Sequence, residues 1–323
     1  MHRRRERVSV GANLREPMNS LNRTRLIALL ACSTAPAAAA QQNFLPGFSG
    51  LKDGSQAPVG MYVAALGWGF NTSTVVDKNG TSHSLTNGGA TSTLVGASFL
   101  AVTKLTLLGG NYGFAVMAPW ISNRLDIPRI DVSSNGGWGY TSTYVQPINL
   151  GWHAKRADYM VGYAVYLPTG AWSFAGNNNF GLGMWTQEIS AGSTLYLNEK
   201  KSLAFALQAV YDINSAKKDT TYQTGNPLTL QGGLSLDYGD PKKLLSGWLG
   251  VAGFAQWIVK ATSYGVSVGP IDKTIDGPYG QKYGLGPELV TMQGALTVRY
   301  IWEFGAKSAF QGNLWFVAFG LPI

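Results

Sequence analysis

The sequence is poor in cysteine, in charge and in long apolar runs. Cys32 is the only cysteine in 323 residues, so a disulfide framework and a cysteine-based metal site are excluded. Charged residues make up 13% of the chain, about half of the ~25% that is usual in globular domains. Beyond residue 40 no run reaches the ~18 apolar residues of a membrane helix. These absences argue against a cytosolic enzyme and against a helical membrane protein.

Histidine is also scarce, with only His2, His83 and His153 in the chain. A nucleophilic hydrolase needs a Ser–His pair that a third group orients, and a zinc site needs clustered ligands. The glycines around Leu182 lack the βαβ context of a dinucleotide-binding loop. The sequence therefore predicts no catalytic residues, no metal site and no cofactor, with a hydrolase that uses His83 or His153 as the alternative.

The first 40 residues have the pattern of an export signal. The basic stretch 18–25 precedes the apolar stretch 26–31, and three alanines at 38–40 precede Gln41. This order predicts a secretory signal peptide that is cleaved at an A-x-A-type site, so that the mature chain begins at Gln41. Residues 1–17 are interpreted as an N-terminal extension, with Met1 or Met18 as the true start. A lipoprotein signal ending at Cys32 is a weaker alternative.

Removal of the leader changes the charge of the chain. Residues 1–40 contain seven Arg and two Glu, so the net charge falls from +8 to +3 without them. The basic character of the whole sequence therefore belongs largely to the leader. A mature chain with so small an excess of positive charge gives no support to nucleic-acid binding.

Alternation of apolar and polar residues dominates the rest of the chain. In LTLQGGLSLDYG (residues 228–239) the leucines fall on one parity, and Gln231, Ser235 and Asp237 fall on the other. Period two is the pattern of a β-strand with one apolar and one polar face. Similar runs, separated by clusters of turn-forming residues, predict twelve strands at 59–72, 92–107, 111–121, 140–154, 158–168, 185–197, 201–213, 227–238, 246–259, 282–292, 294–304 and 312–321.

Two kinds of fold are consistent with these strands. In a soluble sandwich or propeller the leucines would form the core, whereas in a membrane barrel they would face lipid. Aromatic residues near strand ends, such as Tyr159, Tyr211 and Trp302, fit the interfacial girdles of a barrel. Together with the leader, the even strand number and the low charge, they favour an all-β, transmembrane, antiparallel up-and-down β-barrel of about 12 strands over residues 58–323.

This prediction sets the location and the surroundings of the protein. A barrel of this kind lies in the outer membrane of a Gram-negative bacterium, among outer-membrane lipid, and needs the barrel-assembly machinery during biogenesis. Residues 41–57 precede the first strand, and they either enter the lumen as a plug or extend into the periplasm. No nucleic-acid partner is expected.

Polar residues on the inward parity are the candidates for a solute path. In a functional role they would set solute selectivity, but the pattern favours a structural role, in which they only fill the lumen with paired charges and hydrogen bonds. The candidates are Glu188, Gln208, Asp212, Gln231, Asp237, Arg299 and Glu303.

The segment LPTGAWSFAGNNNFGLGMW (residues 167–185) is the most distinctive in the chain. With the flanking sequences it resembles a family of outer-membrane transporters assigned to the phenol meta-cleavage (MetA) degradation pathway. The shared motifs are Pro168-Thr169-Gly170, Asn177-Asn178-Asn179, Trp185, Glu188-Ile189-Ser190, Tyr196-Leu197-Asn198, the LPGFSG of 45–50, the APVGMY of 57–62 and Gly286-Pro287. The chain departs from the family at Trp172-Ser173, where Tyr-Asp is usual, and in lacking a terminal aromatic residue.

The resemblance spans roughly residues 45–323 and implies a function. It suggests an outer-membrane channel or transporter for small hydrophobic or aromatic compounds, which would pass passively through a polar-lined barrel. The alternative is a barrel that does not transport, either a lipid hydrolase or a structural protein.

Overall fold

The structure is a computed structural model, and it describes residues 42–85, 87–127, 132–173, 179–240, 242–263 and 279–323. The predicted signal peptide, Asn177 and Asn178 of the asparagine-rich motif, and most of the segment 262–281 lie outside the described residues. Within these ranges no helix is long and apolar enough to cross a membrane.

The described chain consists almost entirely of β-strands. Their bounds, in chain order, are β1 (Gly60–Thr72), β2 (Thr74–Val76), β3 (Ser82–Ser84), β4 (Gly89–Leu107), β5 (Gly110–Ile127), β6 (Val132–Tyr140), β7 (Thr143–His153), β8 (Ala157–Leu167), β9 (Thr186–Tyr196), β10 (Leu203–Asn214), β11 (Asn226–Tyr238), β12 (Gly247–Lys260), β13 (Gln281–Thr291), β14 (Leu296–Lys307), β15 (Ala309–Phe310) and β16 (Asn313–Pro322). A 3₁₀ turn, Met292–Gly294, lies between β13 and β14.

Twelve of the strands in the described chain form a closed antiparallel barrel. Each pairs with its sequence neighbour, and β1 closes the ring against β16 with Tyr62 opposite Pro322 and Asn71 opposite Asn313. Strands β2, β3 and β15 form a separate small sheet, while β6 pairs with the second half of β5. The prediction of an all-β antiparallel barrel with about twelve strands is confirmed.

The largest difference from the predicted strands is at β5. This strand was expected to end at residue 121, but it continues to Ile127 and forms a hairpin with β6. The pairing of Trp120 with Tyr140 begins this hairpin, which extends the barrel wall beyond the start of β7. Gly136 and Gly137 make β6 look like a loop in the sequence, because glycine is rare in strands.

The polarity of the barrel is opposite to that of a soluble protein. Along β11 the side chains of Leu234 and Leu236 are 48% and 49% exposed, whereas Ser235 is 2% exposed. Strand β10 shows the same alternation, with Phe205 outside and Gln208 inside. Each outward leucine would lose about 1.5–3 kcal/mol of hydrophobic stabilisation if it faced water. The leucines of LTLQGGLSLDYG therefore face the hydrocarbon of a membrane.

The two ends of the barrel differ in the length of their connections. The chain enters β1 and leaves β16 at the same end, which we call the short-turn end. The connections there span 108–109, 154–156, 197–202, 239–246 and 292–295. The opposite, long-loop end carries the small sheet and the β5–β6 hairpin. In outer-membrane barrels the short turns are periplasmic and the long loops are extracellular.

Single-cysteine labelling tests the direction in which each face points. In a Cys32→Ser background, a membrane-confined thiol reagent is expected to label Leu234→Cys and Leu236→Cys but not Ser235→Cys. A small water-soluble reagent is expected to label Asp237→Cys, because the side chain of Asp237 is 39% exposed. Labelling of Ser235→Cys from the lipid, with protection of Leu234→Cys, would contradict the orientation described here.

Candidate functional site

Residues 42–57, here called the N-terminal segment, lie inside the barrel. At the long-loop end the side-chain amide of Gln42 donates to the carbonyl of Gly225 at 3.0 Å. At the short-turn end the hydroxyl of Ser55 donates to Asp158, in the second residue of β8, at 2.8 Å. The segment therefore runs along the lumen from one end to the other before the chain turns into β1.

An amide and hydroxyl network holds the first residues of the segment. Asn43 donates to Thr186 at 2.8 Å, and Thr186 donates to Asn214 at 2.6 Å. Asn214 in turn donates to the side-chain oxygen of Gln42 at 2.7 Å. Thr186 and Asn214 are the terminal residues of β9 and β10 and face each other across the two strands, so the network joins the segment to the wall near the long-loop end.

A buried ion pair holds the middle of the segment. Arg299 of β14 donates through Nε to Glu288 of β13 at 2.6 Å, and both side chains are almost fully buried. The same guanidinium donates through Nη1 to the carbonyls of Gly47 and Phe48, at 2.6 and 2.9 Å. Glu288 also accepts the backbone N–H of Leu51 at 3.1 Å. The segment thus supplies hydrogen-bond partners to both members of the pair.

Glycine at position 50 permits this close approach. A Cβ atom there would overlap both the carboxylate of Glu288 and the guanidinium of Arg299. The LPGFSG motif therefore places a residue without a side chain against the pair. Because a buried pair is stable only when its remaining donors and acceptors are satisfied, the backbone of the segment is part of what stabilises Arg299 inside the barrel.

An ion pair and an amide hydrogen bond also hold the segment at the short-turn end. Lys52 pairs with Asp237 at 2.7 Å and lies 4.4 Å from the ring centre of Trp248. Further along the segment, Gln56 donates to the side-chain oxygen of Asn149 at 2.9 Å. The segment is therefore attached to several strands around the barrel circumference and to both ends.

A cavity of about 400 Å³ remains between the segment and the wall formed by β1, β4, β5 and β7–β10. This volume lies within the ~300–1,000 Å³ of small-molecule sites. Its apolar lining includes Leu45, Phe48, Leu66, Trp68, Leu94, Met117, Ile121 and Met160. One side is polar and carries Tyr144, Tyr166, Glu188 and Gln208, and Asp53 of the N-terminal segment also lines the space. The cavity could hold an apolar or aromatic molecule that has one polar group.

The polar side is organised around Glu188. Tyr144 and Tyr166 donate their hydroxyls to its two carboxylate oxygens, at 3.3 and 3.1 Å. The two tyrosine rings pack with their centres 5.0 Å apart. On the neighbouring strands Gln231 donates to Gln208 at 2.8 Å. These contacts fix the direction in which the cavity presents its polar groups.

The structure places the seven sequence-predicted residues in three locations. Glu188, Gln208, Asp212 and Gln231 are buried side by side on β9, β10 and β11. Arg299 and Glu303 lie on β14, where Arg299 pairs with Glu288 and Glu303 pairs with Lys282 at 2.9 Å. Asp237 lies at the rim, bound to Lys52. The first group alone is near the cavity, and Glu188 and Gln208 line it.

Several residues of the site were not among the predicted ones. Glu288 and Lys282 occupy the inward parity of β13, so period-two alternation carried a signal for both. Tyr166 likewise falls on the inward parity of β8. No local pattern indicated Gly47 or Phe48, because their partner Arg299 lies about 250 residues away in sequence.

The geometry around the histidines does not resemble that of a hydrolase. His153 contacts Asp158 at 3.2 Å, but Ser55 and Tyr196 donate to the same carboxylate. An activated serine must instead bond to the histidine. His83 contacts Asp77 at 3.1 Å in the small sheet at the long-loop end. In the described part of the chain neither histidine receives a hydrogen bond from a serine hydroxyl, and no cluster of three metal-ligating side chains is present.

The small-sheet hairpin fixes the carboxylate of Asp77. It accepts the backbone N–H groups of Asn79 and Thr81 at 2.8 and 2.9 Å. The hydrogen bond from His83, followed by these backbone donors, lowers the pKa of Asp77 below its ordinary value. Asp77 therefore has a structural role in the turn.

Comparison with known proteins agrees with the fold. Residues 72–319 match the model of a family described as "Putative MetA-pathway of phenol degradation". The structure is similar to that of an outer-membrane channel from Pseudomonas putida F1, with a TM-score of 0.64 and 14% identity over 84% of this chain and 98% of that chain. The translocator domain of the autotransporter NalP from Neisseria meningitidis scores 0.38, with 13% identity over 83% and 90% of the chains. OprB from Pseudomonas putida scores 0.37, with 10% identity over 81% and 93%. None of the curated proteins matches the chain.

Replacing the ion pair that holds the segment should open the lumen. In the double variant Arg299→Met, Glu288→Gln, the segment loses the two guanidinium hydrogen bonds to Gly47 and Phe48. Both members of the pair are changed because removal of only one would leave an unpaired buried charge and destabilise the folded protein by about 3–5 kcal/mol. Single-channel conductance in planar bilayers should rise several-fold. The matched control is Lys282→Met, Glu303→Gln, a buried pair whose mutual contact does not involve the segment. Equal conductance of the two double variants would show that Arg299 does not hold the segment.

Proposed function

This chain belongs to the family described as "Putative MetA-pathway of phenol degradation", and on that basis we propose that it is an outer-membrane channel for small hydrophobic or aromatic compounds. The solutes cross passively through the barrel. The observation that carries the proposal is the cavity of about 400 Å³ with its largely apolar wall and one polar side.

The composition of the cavity wall favours apolar solutes. Phe48, Trp68 and Met160 present apolar surface to the space, while the N-terminal segment occupies much of the remaining lumen. An aromatic ring that transfers ~150–250 Å² from water to such a wall gains about 4–6 kcal/mol before the costs of binding. A sugar of similar size gains little, because its hydroxyls would lose water without enough partners.

The polar side of the cavity gives such a solute an orientation. Glu188 and Gln208 lie at this side, and the hydroxyls of Tyr144 and Tyr166 are directed towards Glu188. One hydroxyl or amino group on the solute can bond here while its apolar part contacts the opposite wall. We propose passage and not catalysis for this barrel, with outer-membrane lipid and the solute as its partners and no cofactor.

Uptake into proteoliposomes tests the proposed function. Relative to protein-free vesicles, the barrel should accelerate the entry of phenol and 2-phenylethanol more than it accelerates the entry of glucose. Ala115→Trp fills the cavity from the inward face of β5 and should slow the protein-dependent entry of both aromatic solutes about tenfold, which corresponds to about 1.4 kcal/mol. Ala118→Trp on the outward face of the same strand is the control and should leave uptake unchanged. Equal acceleration of the aromatic solutes and of glucose by the protein, or equal effects of the two variants, would overturn the proposal.

Replacement of His153 separates transport from hydrolysis. His153→Ala removes one contact to Asp158, which keeps Ser55 and Tyr196 as donors. Phenol uptake should therefore be unchanged, and no esterase activity should appear in the wild-type protein with p-nitrophenyl esters. Ester hydrolysis that is lost in a correctly folded His153→Ala variant would instead establish the hydrolase.

A further inference from the structure

Two carboxylates lie side by side on adjacent strands of the wall, near the long-loop end of the lumen. Glu188 of β9 and Asp212 of β10 are direct cross-strand partners, and such partners have Cβ atoms about 4.5–5.5 Å apart. Both side chains are inward and buried. They lie two residues below the network of Thr186 and Asn214, on the route from the long-loop end to the cavity.

Asp212 lacks the partners that a buried carboxylate needs. Its side chain is 1% exposed, and neither of its carboxylate oxygens makes a hydrogen bond of normal geometry. The backbone N–H of Phe44 in the N-terminal segment lies beside it. Glu188, in contrast, accepts a hydroxyl on each oxygen. A buried polar group without a partner costs about 1–3 kcal/mol, and an ionised one costs more, so this position is incomplete as it stands.

Three other carboxylates in the lumen are paired with basic side chains, whereas Asp53 of the N-terminal segment forms no ion pair among the described residues. Lys52 pairs with Asp237, Lys282 with Glu303 and Arg299 with Glu288. In the part of the chain that the structure describes, no basic side chain forms an ion pair with Glu188 or Asp212. The part of the lumen near the long-loop end therefore carries two neighbouring carboxylates that no basic side chain of the described residues pairs with.

We propose that Glu188 and Asp212 bind the ammonium group of a small organic cation whose apolar or aromatic part occupies the adjoining cavity. An ammonium carries three donors, and the pair offers the free oxygens of Asp212 and the remaining lone pairs of Glu188. The rings of Tyr144 and Tyr166 lie next to Glu188 and add attraction for a cation.

The surroundings favour an ammonium over a divalent metal ion. Calcium takes six to eight oxygen ligands, and the described residues supply no group of three acidic or histidine side chains here. The adjoining wall of Phe44, Trp68 and Met160 is apolar, which suits an organic substituent.

This inference rests on the proposed function, because the ammonium would enter along the same path, and it narrows the solute class to amines.

Calorimetry on the full-length barrel in detergent tests the site at pH 7.5. The probes are 2-phenylethylammonium and its neutral isostere 2-phenylethanol, which share a ring and a two-carbon chain. The wild-type protein should bind the ammonium at least tenfold more tightly than the alcohol. Asp212→Asn should abolish that difference while leaving the affinity for the alcohol nearly unchanged, because Asp212 does not line the cavity. Glu188→Gln should also abolish the difference between the two ligands. Glu199→Gln, which removes a charge from an exposed turn, should retain the preference.

The comparison of two ligands on the wild-type protein needs no variant, so it remains decisive if a variant fails to fold. Equal affinities for the ammonium and the alcohol would overturn the inference, and so would calcium binding without an ammonium preference. Vesicle uptake of 2-phenylethanol tests the proposed function separately. Entry of the alcohol without an ammonium preference rejects this inference alone, whereas an ammonium preference without entry of either probe rejects transport and supports the site.

Discussion

Backbone hydrogen bonding in hydrocarbon is the constraint on which the rest of this structure depends. A strand that crosses a bilayer must pair every N–H and C=O with a neighbour, because no water is present to replace a missing partner. The pairing of β1 with β16 removes the last two open edges. Once the ring closes, each strand has one face towards lipid and one towards the lumen. The reversal of polarity, with Leu234 outside and Ser235 inside, follows directly from this geometry.

Closure creates a second requirement, which is that the interior must be filled. A ring of twelve strands is wider than the side chains of its own inward face can occupy. Here the N-terminal segment supplies the additional material, and glycines at positions 47, 50 and 54 let its backbone lie directly against the wall. Because its carbonyls and N–H groups are then buried, they need partners, and Arg299 and Glu288 provide them. Charge inside the barrel thus serves the backbone of the segment as much as it serves a solute.

The sequence predicted the wall of the barrel better than its contents. Period-two alternation is a local property, so it identified the inward positions of Gln208, Asp212 and Gln231 from the sequence alone. The contents depend on contacts between the first residues and the last strands, such as that of Gly47 with Arg299, for which no local pattern exists. Asp237 shows the same limit in a simpler form, because its parity is inward but its height in the strand puts it at the rim beside Lys52. Height in a barrel is set by register and strand length, and these were known only to within a few residues.

The positions of these contacts also place a constraint on assembly. The partners of Gly47, Phe48 and Leu51 lie on β13 and β14, among the last strands of the chain to be made. These three contacts cannot form until those strands are in place, whereas the contacts of the segment with β7–β10 do not depend on the late strands. Closure of β1 against β16 requires the same late strands. The contacts of the segment with Arg299 and the closure of the barrel therefore depend on the same part of the chain, since the strand that closes the ring is adjacent to the strand that carries Arg299.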